Sequence, residues 1–438
     1  MSTENRVQIF EPTFVKNFSC VGDQCPSNCC HSWSIHLDKK NYKEIRKTPD
    51  NNIKALAKKH FKRFAADAAV GSAYGYIQLN RHGLCPMLDD KGWCEIHKRL
   101  GEKALSLTCQ QYPRAPQYFG ARVELSLSLS CPAVADEVLF NPDAMVFNQV
   151  KASPALRPTF RIGGTPSGSL PAWALILRDF SFQILVNPQL TLAERLFLLG
   201  LTYHQIDSHL DNPLLVESVL RRNINWADDG TARKGFSSLP TLSGHKWNIF
   251  SHQLGTILAD YKCAKAANVG VSQSESRYLG LQMPLFRQMA SIIGQTSEHR
   301  AVDASGILRG ELESAVASQA FEALLEKAKP MQGAFFSEYP QVLLNFLLYQ
   351  VYHYQFLLSL KRSPIQFFQV MMVDLLLLEA GLSGIAVEEG GLDREKVVAL
   401  FSAYAKKRQH NREFVDSIET CLEQSASDKL AAVFALLK

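Results

Sequence analysis

Eight of the ten cysteines in this 438-residue chain lie within the first 131 residues, where even scattering would place about three. The start, MSTENRVQIF, has no apolar run behind basic residues, so no secretory signal is expected and the chain is read as cytoplasmic. In a reducing compartment disulfides explain such clustering poorly, and metal or redox chemistry explains it better. The eight are Cys20, Cys25, Cys29, Cys30, Cys85, Cys94, Cys109 and Cys131.

Thiolates are soft ligands for zinc or iron–sulfur clusters, and either takes about four per site. Cys25-x3-Cys29 is a zinc-type knuckle, but Cys85-x8-Cys94 and Cys94-x14-Cys109 are looser than zinc ribbons prefer. Pro26, Pro86 and Pro132 each follow a cysteine, a step also found at the end of ferredoxin cysteine runs. We therefore expect a [4Fe–4S] cluster, with zinc as the alternative. In extended backbone Cys29 and Cys30 would point to opposite sides, so one is expected to ligate while the other packs or serves a second site. His31, His36 and His97 lie close enough in sequence to substitute as ligands. Cys263 and Cys421, alone in helical stretches, read as ordinary buried thiols.

The pattern along the chain divides it into a cysteine-rich metal domain (1–150), a linker (151–172) and a helical domain (173–438). The fold class expected is mainly α, with a small α+β metal domain ahead of an all-α bundle. Between Lys39 and Arg63 ten Lys or Arg outnumber the acids, which reads as the solvated face of an amphipathic helix. Val123–Ser130 alternates apolar and polar residues, as a half-buried strand does. Lys151–Ala172 holds four prolines and three glycines, Gly163, Gly164 and Gly168, and reads as linker.

Beyond it, 3.6-residue periodicity predicts helices over Trp173–Val186, Leu192–His209, Lys246–Ala267, Leu279–Ile293, Leu312–Ala328, Pro340–Leu360, Pro364–Ala380, Arg394–Arg408 and Arg412–Leu437. Thr191 and Asp393 are expected N-caps, and breaks are expected near Asp228–Gly244 and Gly381–Asp393. The apolar stretches Val342–Leu360 and Phe367–Leu378 are too polar or too short to span a bilayer. A net charge of +5 demands neither nucleic acid nor a membrane as partner.

The runs Phe18–Asp38 (FSCVGDQCPSNCCHSWSIHLD) and Leu84–His97 (LCPMLDDKGWCEIH) resemble YkgJ-type cysteine-cluster domains. Leu105–Pro116 (LSLTCQQYPRAP) and Val123–Leu139 (VELSLSLSCPAVADEVL) resemble the flagellin lysine-N-methylase (FliB) family more specifically, over about residues 10–140. Leu343–Leu348 (LLNFLL) is similar to an Asn-containing helix of that family. The resemblance implies a protein-lysine N-methyltransferase acting on flagellin, with S-adenosylmethionine (SAM) as methyl donor and an iron–sulfur cluster on the eight cysteines. Tyr112, Pro113 and Arg114 sit on its Tyr-Pro-Arg step. The cysteine-cluster motifs alone imply only a non-enzymatic zinc- or iron-binding module.

Methyl transfer to lysine needs a neutral amine, and free lysine titrates near 10.4, so desolvation by aromatic walls or a proton acceptor is required. Trp33, Tyr112, Tyr349, Tyr352 and Tyr354 are candidate walls; no catalytic residue is assigned. Asn345, Tyr349 and His353 share one helix face, which either lines a pocket or is satisfied between packed helices. No glycine-rich loop follows a strand as in nucleotide-binding folds, so SAM is expected to bind another way. A cluster held by three thiolates would leave one iron open to its amino and carboxylate groups. Arg114 and Tyr112 are the expected cofactor-binding residues, with a plain salt bridge as the alternative for Arg114.

Overall fold

The structure, a computed structural model, describes residues 8–30, 34–65, 73–81, 83–119, 122–150, 171–266, 273–295, 307, 313–354, 362–410, 412–425 and 429–438. His31, Trp33, Gly163, Gly164, Gly168 and most of the expected linker lie outside them.

The described residues are mainly helical, as the periodicity predicts. Helices Ala172–Leu185, Leu192–Ile206, His245–Ala266 and Arg394–His410 start and stop close to the expected bounds. Thr191 forms a full capping box with Glu194, and Asp393 Oδ1 accepts from the Lys396 amide at 2.8 Å. Together these satisfy backbone donors that a helix start leaves without partners.

Several bounds differ. Helices Gln273–Gln295 and Ser314–Glu338 run longer than predicted and carry Pro284 and Pro330 inside them. Helix Pro213–Asp228 went unpredicted, although Asn212 caps it, Pro213 opens it, and Val216, Val219, Leu220 and Ala227 face inward. Thr231–Ser237 is a further helix within the expected break. The span Arg412–Leu437 is two helices, Arg412–Ser425 and Lys429–Ala435.

The break expected at Gly381 is absent: Pro364–Glu389 is one helix, ended by Gly390 at φ 76°. Gly384 sits inside it because helix Gln273–Gln295 comes so close. A Cβ at this position would lie 2.3 Å from the Leu285 backbone nitrogen. Helix Pro364–Glu389 is long and apolar enough to cross a membrane by length and composition, yet 83% of its most apolar window is buried inside the protein.

The N-terminal part supplies two small sheets. Strand Gln8–Pro12 lies between Arg122–Glu124, parallel to it, and Phe147–Val150, antiparallel, with Gln117–Phe119 on the far edge. The second sheet is antiparallel, with Gly75–Ile77 between His36–Leu37 and Phe61–Arg63. The basic stretch forms two helices, Lys39–Arg46 and Asn51–His60, capped by Asp38 and Asp50.

Apolar burial is divided between two cores. A small one gathers Ile35, Leu37, Tyr42, Ile45, Ile53, Phe61, Met87 and Ile96 with Cys30 and Cys85. The large one joins the helices to Phe14, Leu127, Leu129, Val134, Val138 and Leu139.

The alternating stretch after Val123 is not a half-buried strand. Only Arg122–Glu124 pairs as strand, and from Ser126 to Ser130 both apolar and serine residues are buried. The serines are tolerated inside because side chains replace water as their partners. Ser126 Oγ meets His353 Nδ1 at 2.7 Å, and Ser128 Oγ donates to Gln409 Oε1 at 2.7 Å. The Tyr349 hydroxyl donates to the Leu127 carbonyl and accepts from the Leu129 amide, both at 2.9 Å. Tyr352 donates to the Leu125 carbonyl at 2.8 Å. At the ribbon's start, buried Arg178 grips Glu124 through two bonds of 2.7 and 2.9 Å.

Candidate metal centre

The cysteine segments are brought together by tight loop packing. Gly22, at φ 59°, lies flat against the Trp93 indole, where a Cβ would sit 3.3 Å from the ring. The loop Cys20–Cys30 is thereby pressed onto the loop before Cys94. Asn28 Oδ1 accepts from the Cys30 amide at 3.1 Å, and the Cys85 amide donates to the Cys30 carbonyl at 2.8 Å. The Asn28 turn bends the chain, so Cys29 and Cys30 do not point apart as extended backbone would have them; their thiols hydrogen-bond each other.

Three further cysteines stand at helix starts. Cys94 and Cys131 are the N-cap residues of Glu95–Leu100 and Pro132–Phe140. Cys109 lies in the first turn of Leu107–Gln111, where its amide donates to the capping Ser106 hydroxyl at 3.2 Å. Backbone amides of Ile96 and His97 favour the Cys94 thiolate, and those of Ala133 and Val134 favour that of Cys131. Such placement is what makes a cysteine an available anionic ligand.

Seven of the eight thiols, those of Cys20, Cys25, Cys29, Cys30, Cys94, Cys109 and Cys131, line one cavity of about 340 Å³. Phe18, Trp93, His97, Glu102, Tyr112 and Arg114 complete much of its wall. Cys85 is buried just behind, in the small core, within electrostatic reach of Cys29 and Cys94. Among the described residues no three His, Cys, Asp or Glu side chains form a group that closes on a single metal ion. The thiols surround a shared space instead.

Their acidities diverge. The Cys30 thiol, hydrogen-bonded to Cys29 and Cys94, is pushed well up; Cys94 in turn is brought down to about 7 and Cys29 is lowered. Burial pushes Cys85, Cys109 and Cys131 up to about 12. Thiols raised by burial beside two that are lowered make a mixed ligand set, and a bound cation would deprotonate the raised ones.

The donor set fits a thiolate-bound cluster on a second count. Trp93 Nε1 is buried in the cavity wall with no acceptor among the described residues, and a buried N–H without a partner is costly. Sulfur atoms of a cluster accept such hydrogen bonds.

The other expected site residues are placed as follows. Tyr112 is in the wall, its hydroxyl 3.1 Å from Ser130 Oγ, and its bond to Pro113 is cis. Arg114 reaches the rim but is engaged there by Glu102 at 3.2 Å and by the Gln110 carbonyl at 2.9 Å. His97 lines the cavity, whereas His36 belongs to the small sheet and packs on Phe64. Tyr349, Tyr352 and Tyr354 do not line it; the first two hold the buried ribbon and the third lies under the Arg408 guanidinium at 3.9 Å. Asn345 donates to the Asn141 carbonyl at 2.8 Å, so the Asn345–Tyr349–His353 face is satisfied between packed elements. Cys421 is buried in the large core as expected.

Sequence reasoning missed the cations that the helices bring up. Arg277 Nη1 donates to the Pro26 carbonyl at 2.9 Å, and the charge of Lys406 acts on Cys29, Cys25 and Cys30. Lys406 lies in the basic end of a predicted helix and Arg277 just ahead of another, and neither position announces a partner in the cysteine loops. Close by, Asp374 is fully buried between Arg408 at 2.7 Å, Gln350 at 3.2 Å and the Tyr404 hydroxyl.

A family model described as the FliB lysine N-methylase C-terminal domain matches residues 178–436. A lysine-N-methylase of Salmonella typhimurium is 39% identical over 144 residues, 33% of this chain and 35% of that protein. The flagellar biosynthetic protein FliU of Salmonella muenchen is 38% identical over 147 residues, 33% of this chain and 85% of that protein. The chain thus spans about a third of the length of the curated lysine-N-methylases it matches. No solved structure matches it. With more than half of its length under the family model and most of FliU covered, the chain belongs to the FliB lysine N-methylase family.

Proposed function

We propose that this protein is a SAM-dependent lysine N-methyltransferase acting on flagellin, and that its N-terminal thiols hold a [4Fe–4S] cluster. The observation that carries the metal reading is the convergence of seven thiols from three separate stretches of chain on one cavity. The substrate reading rests on the names of the relatives, a lysine-N-methylase and a flagellar biosynthetic protein. A space of about 340 Å³ is larger than one zinc ion needs, which favours the cluster.

In this reading Cys20, Cys25, Cys29, Cys94, Cys109 and Cys131 are the candidate ligands, with Cys30, in the same wall, and Cys85, behind it, packing or serving a second group. SAM, when bound, supplies the methyl group as a sulfonium. The chain's own part is to bind, orient and keep dry: Phe18 and Tyr112 desolvate the entering amine so that it sheds its proton. Tyr112 is held for this by Ser130. Arg114, exposed at the rim, would have to leave Glu102 before it held a carboxylate.

The test is anaerobic purification followed by iron, sulfide and zinc analysis, SAM titration and methylation of flagellin. Wild-type protein with stoichiometric iron and sulfide, SAM affinity and methyl transfer is expected; Cys109→Ala should lose the chromophore and the transfer together. Colourless protein holding zinc, with no SAM affinity, would instead mark a metal-binding interaction module.

A further inference from the structure

Two cations from the C-terminal helices stand against the cysteine loops. Arg277, near the start of helix Gln273–Gln295, reaches across 251 positions of sequence to the carbonyl of Pro26. Pro26 directly follows Cys25 in the loop that leads to Cys29. Burial works against the Arg277 charge, the Cys25 thiolate supports it, and among the described residues no carboxylate pairs with it. Lys406, on helix Arg394–His410, is the second: burial brings it down to about 8, negative charge on Cys29 opposes that, and the nearby Arg277 charge adds to it, so the two cations share one neighbourhood. On the N-terminal side of the cavity, Arg114 pairs with Glu102 and Lys98 with Asp89.

The two positions are fixed from inside the bundle. Tyr278, next to Arg277, and Tyr404, two residues before Lys406, are fully buried with ring centroids 5.6 Å apart. Tyr404 donates to Asp374, which is also bound by Arg408. One buried contact therefore sets where both cations emerge.

We propose that Arg277 and Lys406 are the counter-charges of the thiol centre, neutralising an anionic metal–thiolate assembly and pinning the Cys25–Cys29 loop to the helical bundle. This rests on reading the thiols as a metal centre. Several thiolates around one metal group leave a net negative charge in a partly desolvated site, and a buried charge without compensation is expensive. Two cations supplied by the helical bundle, one of them bonded to the loop after Cys25, offset it. Positive charge beside a cluster also favours its reduced, more negative state, so these residues set its potential.

The test uses the full chain, purified without oxygen, as wild type and as Arg277→Gln, Lys406→Gln, Arg277→Lys and Lys406→Arg. Bound iron, sulfide and zinc are measured, then the rate of metal loss to EDTA, then the midpoint potential of an iron–sulfur centre. The glutamine variants are expected to lose metal several-fold faster and to show a lower potential, while the charge-keeping variants stay near wild type. A purely structural role would move retention without lowering the potential and would not be rescued by charge. Should a glutamine variant fail to fold, methionine at that position replaces it. Wild-type retention and potential in both charge-removing variants would overturn the inference and leave the metal centre standing. Wild-type protein that is free of metal and takes up neither iron nor zinc would overturn both.

Discussion

Burial pushes the His353 imidazole down to about 3, with the Arg408 charge adding to the effect, while Ser126 shares a hydrogen bond with its Nδ1. The unfolded ring protonates near 6.5. Between those values the unfolded chain binds more protons than the folded one, so this group's stabilising contribution is lost as pH falls through the window. From pH 7 to pH 5 the loss is about 2 kcal/mol. Denaturant titrations at the two pH values should find His353→Gln less pH-sensitive by about that amount. Trp93 is the second residue with a measurable signature. Trp93→Phe removes the buried indole N–H, and if that group donates to a cluster sulfur the potential should drop by roughly 40 mV, the equivalent of about 1 kcal/mol for one electron. Redox titration of the visible band checks it. That the cysteines would gather was legible from their number and crowding, while Tyr112 entered through the family resemblance. Arg277 and Lys406 were not, since a cation in a helical stretch looks the same whether it meets water or a thiolate 251 or more positions away.

At the level of elements, the caps at Thr191 and Asp393 read correctly because they are local events, decided by a side chain and an amide three residues on. Gly381 and Gly384 misled the prediction for the opposite reason. Glycine weakens an isolated helix, but here its missing side chain is what lets helices Pro364–Glu389 and Gln273–Gln295 touch, a fact that only the partner reveals. Gly384→Ala should therefore destabilise by about 1–3 kcal/mol, because the added methyl meets backbone rather than a yielding side chain. Gly391, with open space around it, should accept alanine with a change within about 0.5 kcal/mol. Thermal or denaturant unfolding of the pair separates a close-packed helical position from an open one just past the helix end.

For the whole molecule the decisive connection is the ribbon from Arg122 to Cys131, wrapped by the segment Gln341–Tyr354 and by Gln409. Tyr349→Phe strips the Leu129 amide and the Leu127 carbonyl of their partner in a buried place. It should cost about 1–3 kcal/mol. Amide exchange at Leu129 should accelerate, and because Cys131 closes the ribbon, the proposed metal centre should lose its metal faster than in wild type. Chelator kinetics beside exchange rates test that coupling.

The side chains that cover the ribbon from Leu125 to Leu129, namely Tyr349, Tyr352, His353 and Gln409, lie 220 or more positions downstream. As the chain leaves the ribosome, its buried serines and leucines emerge long before the helices that will cover them. Contacts of such long range close slowly, so the nascent chain carries an uncovered, strand-like segment through most of its own synthesis. The last of the clustered cysteines is fixed only when that segment is finally enclosed. Completion of the thiol wall thus follows translation of the C-terminal helices, which makes the cysteine cavity a late checkpoint rather than an early nucleus of folding.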